Sequence, residues 1–367
     1  MHHQRYRKSV KYTAIIFVLL LAVLILEGMA RLVYAYREEL SGNPLLSTLA
    51  RGEMVLDPYE MESSSIGGHW GLRPGYPFSN TPNNQLRINK YGMRGPDIDE
   101  THSRPRILSL GDSVTFGLGE VSYPRVIEDI LNKAGVPVEV VNGGVEGYAP
   151  RNLLYEVNGY LNLRPEVVTI YIGWNALYSP AYWLERYERC LRLLWFARNL
   201  LRISQRKLIG EGAYTREMLE RIPVPDANSA DVVYAADYTP PYLGQIDELV
   251  ERFQKRGAQV FLMTLPGLFV DDEKPSDKAL KIGHLPAFST NPYVLAKISE
   301  RYNQSLRDLA SRRGVGLIDL AVWSKHHLTP RDEFFSDSVH LTSEGLARVG
   351  GFVAEQLKDV IGKERLQ

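Results

Sequence analysis

The chain has 367 residues, with 43 Lys and Arg against 43 Asp and Glu, so its formal net charge is zero. That length exceeds one small domain of about 150 residues and suits an enzyme core of about 250 with attachments. A hydrophobic share of 44% and a charged share of 23% exclude a disordered or fibrous chain, and the zero balance argues against a protein whose main work is gripping a polyanion such as nucleic acid.

The chain opens with an unbroken uncharged run, Thr13 to Leu26, preceded by Arg5, Arg7, Lys8 and Lys11. A basic flank followed by an apolar run is the pattern of a signal peptide or signal-anchor whose flank stays in the cytoplasm. The clean run is short of the roughly 20 residues that a bilayer requires, but it extends through Gly28, Met29 and Ala30 to Tyr34. The charges crossed, Glu27 and Arg31, are four apart on one helix face and can pair or snorkel. Val33-Tyr34-Ala35 matches a cleavage site poorly, so a retained anchor is expected over residues 1–36, with the rest of the chain outside the cytoplasmic membrane.

Residues 37–103 are rich in Gly, Pro, Asn and Ser and read as a turn-rich lead-in. From residue 104 the pattern becomes regular, and 104–367 is expected to form one domain. Apolar runs at Ile107–Leu110, Val138–Val141, Val167–Ile172, Val260–Leu265 and Gly316–Leu320 predict five buried strands. Helical periodicity lies between them. Val126, Ile127, Ile130 and Leu131 share one face before Gly135, and Leu153 to Leu161 share another after Pro150. Further helices are expected around Ile246–Phe253, from Pro292 to Arg312 and over Leu346–Ile361. This alternation predicts parallel strands with right-handed crossovers: a three-layer α/β/α sandwich with a parallel five-stranded sheet. Residues 177–238 interrupt the rhythm with LERYERCLRLLWFARNLLRI, expected as a helical cap insertion rather than a membrane-facing surface. The single cysteine, Cys190, falls there; it rules out a disulfide framework or multi-Cys metal site and reads as apolar filler.

Chemistry-bearing residues cluster at the strand ends. The first strand runs into Gly111-Asp112-Ser113, the second into Asn142-Gly143-Gly144-Val145-Glu146-Gly147, the third into Gly173-Trp174-Asn175, and Asp337-Ser338-Val339-His340 follows the fifth. Ser113, Gly144 and Asn175 recur every 31 residues, about one βαβ step, which brings them to the carboxyl edge of a parallel sheet, where open α/β folds build sites. A serine needs a base, which His340 can supply, and Asp337 can hold the other ring nitrogen. Ser113 and Gly144 backbone N–H groups and the Asn175 amide can form an oxyanion hole. Each has a plainer alternative: helix cap for Ser113, turn residues for Gly144 and Asn175, loop histidine for His340. His340 and Glu344 at i, i+4 lack the third ligand of a metal site, and His326-His327 reads as a solvated loop. A dinucleotide fingerprint and a G-x-S-x-G elbow are both missing.

These blocks, GDSVTFG, NGGVEG, GWN and DSVH, resemble those of the SGNH (GDSL) hydrolases over roughly residues 104–362. The resemblance implies a flavodoxin-like sheet, no cofactor or metal, and a triad of Ser113, His340 and Asp337 with Ser113, Gly144 and Asn175 as oxyanion donors. Where many members have Asp after the third-block Asn, this chain has Ala176. It also implies a serine esterase or deacylase, acting on an acylated small molecule, glycan or lipid, or an O-acyltransferase using the same residues. A membrane-tethered chain with a lead-in like RINKYGMRG is similar to proteins found with bacterial exopolysaccharide assembly. A non-catalytic glycan-binding scaffold is the alternative from another class.

Overall fold

The structure, a computed structural model, describes residues 2–35, 62–63, 70–72, 74–75, 87–117, 119, 121–178, 191–194, 223–240, 242–286 and 288–364. The chain divides into two compact units, residues 1–70 with 182–214, and residues 71–181 with 215–367.

In the first unit, helix α1 (His2–Ala35) carries the basic flank and the whole apolar run. Its stretch Tyr12–Leu32 is long and apolar enough to cross a membrane, a property shared by anchors and signal sequences. Its apolar side chains are exposed from Ile15 to Leu32 with few exceptions. The expected i, i+4 pair forms, with Arg31 Nε 2.7 Å from Glu27 Oε1. The Glu27 carboxylate also accepts the N–H groups of Arg192 and Leu193 at 3.1 and 2.8 Å. Most of the expected cap, residues 179–190 and 195–222 with Cys190, lies outside the described residues.

The second unit holds the sheet: β1 (Arg106–Gly111), β2 (Glu139–Gly144), β3 (Val167–Tyr171), β4 (Gln259–Met263) and β5 (Gly316–Ile318). All neighbours are parallel, in the order β2-β1-β3-β4-β5. This is the flavodoxin-like order, in which the chain reverses direction across the sheet between β1 and β3. β1 and β3 are buried along their whole length, as strands covered on both faces must be. At the far end of the sheet from the site, Arg106 pairs with Glu139, its β2 partner, at 2.7 Å and fixes the register.

Short helix α2 (Ser113–Phe116) follows β1 directly. Helix α3 (Tyr123–Lys133) buries Tyr123, Ile127 and Leu131 at four-residue spacing and packs on the closing helix, Ser343–Glu364, forming one outer layer. The single helix expected from Pro150 to Leu161 is two, α4 (Pro150–Tyr155) and α5 (Val157–Asn162). Glu156, at φ −83° and ψ 0°, ends one and starts the next. After β3 come α6 (Trp174–Tyr178), α7 (Ala230–Ala236) and α8 (Leu243–Gln254), which packs on α4 and β4. Helix α9 (Asp277–Ile282) precedes α10 (Pro292–Arg313), which Asn291 caps through Tyr293 N, as the Asn-Pro start predicts. Helices α11 (Leu320–His327), α12 (Arg331–Phe334) and α13 (Ser343–Glu364) complete the unit. His326 and His327 therefore end a helix, where the sequence reading placed a loop. Both are exposed, and His327 stacks on Trp323 at 4.8 Å between ring centroids.

Candidate active site

The site assembles at the carboxyl edge of β1, β2 and β3. Asp112 caps α2, its Oδ1 accepting from Val114 N at 3.1 Å. Ser113 is thus the first residue of a helix, and its N–H has no acceptor among the described residues. A first-turn N–H points away from the helix and is available to an incoming anion.

His340 sits on the loop between α12 and α13. An antiparallel bridge between Phe335 and Leu341 closes that loop, and Ser336 N donates to His340 O at 2.9 Å. Asp337 Oδ1 accepts the N–H groups of Val339 and His340, both at 2.8 Å, and its Oδ2 lies 2.7 Å from His340 Nδ1. The other ring nitrogen, Nε2, lies 2.8 Å from Ser113 Oγ. Burial alone would raise the Asp337 carboxyl, but the neighbouring His284 ring and the hydrogen bonds with His340 hold it far below the usual carboxylate range. For His340 burial acts downward and is outweighed by the Asp337 carboxylate, which lifts the imidazole above its ordinary 6.5. An imidazole held between a serine hydroxyl and an ionised carboxylate can take the serine proton and keep the resulting charge.

The strand register changes the reading of the second block. Gly144 pairs with Gly111, and Gly111 with Tyr171, so equal spacing in sequence does not mean equal height. Gly144 lies a level below Ser113. It is buried, and its N–H donates to Asn142 Oδ1 at 3.0 Å. A Cβ there would overlap the Phe116 amide nitrogen and come within 2.6 Å of Thr115 C. Gly144 is therefore glycine so that β2 can pack against the backbone of α2. The expectation that its N–H faces the cleft is corrected. Level with Ser113 comes the turn Glu146-Gly147. Gly147 is exposed at φ +76°, a conformation that favours glycine, and its N–H has no acceptor among the described residues. The last glycine of NGGVEG, Gly147, was the available signal.

Asn175 lies where expected, in the first turn of α6. Its Nδ2 donates to Tyr148 O at 3.0 Å, which ties the second and third blocks together and leaves one amide proton for another acceptor. Tyr302 OH holds this turn from α10 by donating to Ile172 O at 2.6 Å. Ala176, next to Asn175, is buried in α6.

His284 was not singled out from sequence. Its Nε2 lies 3.6 Å from Asp337 Oδ2. Ser338 Oγ accepts His284 N at 2.9 Å and donates to His284 O, and Tyr178 meets its ring edge-on. No local motif marks it, because the contact joins loops some 50 residues apart in sequence. His284, Asp337 and His340 place three ligand-type atoms within 4.8 Å, but His340 Nδ1 and Asp337 Oδ2 are bonded to each other. Glu344, four residues after His340 in sequence, pairs instead with Arg348 at 2.9 Å.

Residues 109–348 match the GDSL-like lipase/acylhydrolase family. The chain belongs to this family. Among curated proteins, none matches the chain in sequence. Solved structures to which it is similar include acetyl xylan esterase AlAXEase, at 18% identity and TM-score 0.41, with 69% of this chain and 99% of that one covered. The lipase/acylhydrolase from Enterococcus faecalis is 14% identical, with TM-score 0.39 and coverage of 70% and 96%. An acetyl xylan esterase from Geobacillus stearothermophilus is 15% identical, with TM-score 0.39 and coverage of 70% and 94%. Membership in the GDSL-like family makes the chain one of a group of ester hydrolases; the roles of its residues rest on the geometry above.

Proposed function

We propose that this GDSL-family protein is a serine ester hydrolase that removes O-acyl groups from a glycan or lipid outside the cytoplasmic membrane, to which α1 tethers it. One observation carries the reading: the continuous chain Ser113 Oγ, His340 Nε2, His340 Nδ1 and Asp337 Oδ2, with links of 2.8 and 2.7 Å. Ser113 Oγ attacks the acyl carbonyl carbon and His340 Nε2 takes its proton. The Ser113 and Gly147 N–H groups and Asn175 Nδ2 receive the charge that develops on the carbonyl oxygen. The alcohol leaves with the proton from His340, and water, activated by the same ring, releases the acid from the acyl-enzyme. In this reading residues 104–367 are the catalytic region, and residues 1–36 the cytoplasmic flank and anchor.

The test is covalent labelling of the detergent-solubilised full-length chain with a fluorophosphonate. Wild type should label and Ser113→Ala should not; equal labelling of both, or of neither, would sink the assignment. Incubation with an O-acetylated oligosaccharide should then release acetate. Acetyl transfer to a second sugar without acetate release would mark the protein as an acyltransferase instead.

A further inference from the structure

The segment RINKYGMRG, residues 87–95, lies ahead of the residues that match the family, and the mechanism above does not use it. The structure folds it into a tight strap. Asn89 Oδ1 accepts the N–H groups of Tyr91 and Met93 at 2.9 and 3.1 Å, and Asn89 Nδ2 donates to Pro96 O at 3.0 Å. Antiparallel bridges join Ile88 to Arg94 and Arg94 to Asn142, so the strap adds itself to the open edge of the sheet beside β2.

That placement drives the Arg94 side chain inward, where it is 4% exposed. Its Nη1 donates to Phe116 O at 2.7 Å and to Gly117 O at 2.8 Å, and its Nη2 donates to Gly119 O at 2.8 Å. The guanidinium also lies 5.0 Å from the Phe116 ring centroid. These carbonyls belong to the end of α2 and the turn after it. A helix of four residues satisfies almost none of its own end groups. The amino end of α2 presents Ser113; its carboxyl end is gathered by one buried cation through charge-assisted bonds, with Asn142 Nδ2 adding a 3.2 Å bond to Phe116 O.

We propose that Arg94 is a positioning residue for the nucleophile: by clamping the far end of α2 it fixes the height and direction of Ser113 Oγ and of the Ser113 N–H. The inference rests on the serine-hydrolase reading above. These three bonds of Arg94 reach the end of α2 and the turn after it, and none of them goes to Ser113. A misplacement near 1 Å at a reacting group costs on the order of 10²-fold in rate, so the loss should fall on turnover and not on substrate affinity.

The experiment compares full-length wild type with Arg94→Met, Arg94→Lys and Val349→Ala, the last destabilising buried α13 away from the clamp. Folded fraction and Tm are measured beside fluorophosphonate labelling rate, kcat and KM on a soluble acetyl ester. Arg94→Met should label and turn over roughly 10- to 100-fold more slowly with KM nearly unchanged. Arg94→Lys, which keeps the charge but not the planar fork, should fall between it and wild type. Val349→Ala should lose Tm and keep kcat. A folded Arg94→Met with wild-type kcat would overturn the inference, as would an equal loss of kcat in Val349→Ala. Should Arg94→Met not fold, Arg94→Lys decides: wild-type kcat overturns the clamp, and a several-fold loss supports it. An unlabelled wild type would overturn the serine-hydrolase reading and the clamp with it.

Discussion

Ser113 reaches the cleft on a turn whose fixings come from distant parts of the chain, whereas His340 is oriented by residues within a few positions of itself. On the serine side the supports are Arg94 and Asn142 at the end of α2, together with Gly144, which packs beneath the Thr115–Phe116 backbone. On the histidine side one carboxylate, three residues away, holds two backbone N–H groups with Oδ1 and the imidazole with Oδ2. In the proposed mechanism the difference follows from what each group must do. A nucleophile must meet a carbonyl carbon along one direction, so its backbone is locked. A base must keep its tautomer and charge balance, and a single carboxylate does both.

The largest effect is expected where the local support and the chemistry coincide. Asp337→Asn can keep both backbone bonds through Oδ1, so Tm should stay near wild type. Its amide would face His340 Nδ1 and favour the wrong tautomer, lowering kcat by roughly 10⁴-fold. A large fall in Tm would show that the loop is held by more than its own hydrogen bonds.

Asn175→Ala should reduce kcat by about 10²–10³-fold, the usual cost of one oxyanion donor, with modest change in KM. Unchanged turnover would remove Asn175 from the proposed hole. Gly144→Ala tests the long-range supports of the serine. Its new methyl overlaps α2, so we expect about 1–3 kcal/mol lost in thermal unfolding along with weaker labelling. A variant with wild-type Tm would mean that α2 can move, against the locked backbone described here.

The smallest effects concern pH. In the proposed mechanism neutral His340 accepts the serine proton, and the Asp337 carboxylate raises its titration above 6.5, so kcat/KM should rise with pH through a midpoint above that value. Asp337, held far down by its hydrogen bonds, should add no second acid limb. Asp112, pushed up to about 6 by burial, binds its proton more tightly folded than unfolded, so it costs stability increasingly as pH rises through that value. Asp112→Asn should gain a few degrees in Tm at pH 8, shrinking toward pH 4, and should move the activity midpoint down by removing a negative charge near His340. A gain independent of pH would mean that the carboxylate is not the cause.

Much of this architecture was legible in the residues. Buried strands bounded by Gly and Pro announce themselves as short apolar runs, and the Asn291-Pro292 start of α10 is a local signal. The placement of Ser113, Asp337, His340 and Asn175 at one edge of the sheet was legible, since strand ends and an i, i+3 pair are local or nearly so. Gly144 was misread because equal spacing was taken for equal height, and height is set by ladder register. His284 and Arg94 escaped for the same physical reason: each acts through contacts between segments distant in sequence, which neither periodicity nor motif spacing records.

The strap that carries Arg94 bears on how the hydrolase fold can be excised and moved. A fragment cut where the family match begins would contain Ser113, Asn175, Asp337 and His340 and yet lack the guanidinium that gathers the end of α2. If the proposed clamp holds, the smallest transferable catalytic piece of this chain starts no later than residue 87, and grafts or chimaeras joined at residue 104 should inherit the site without its alignment.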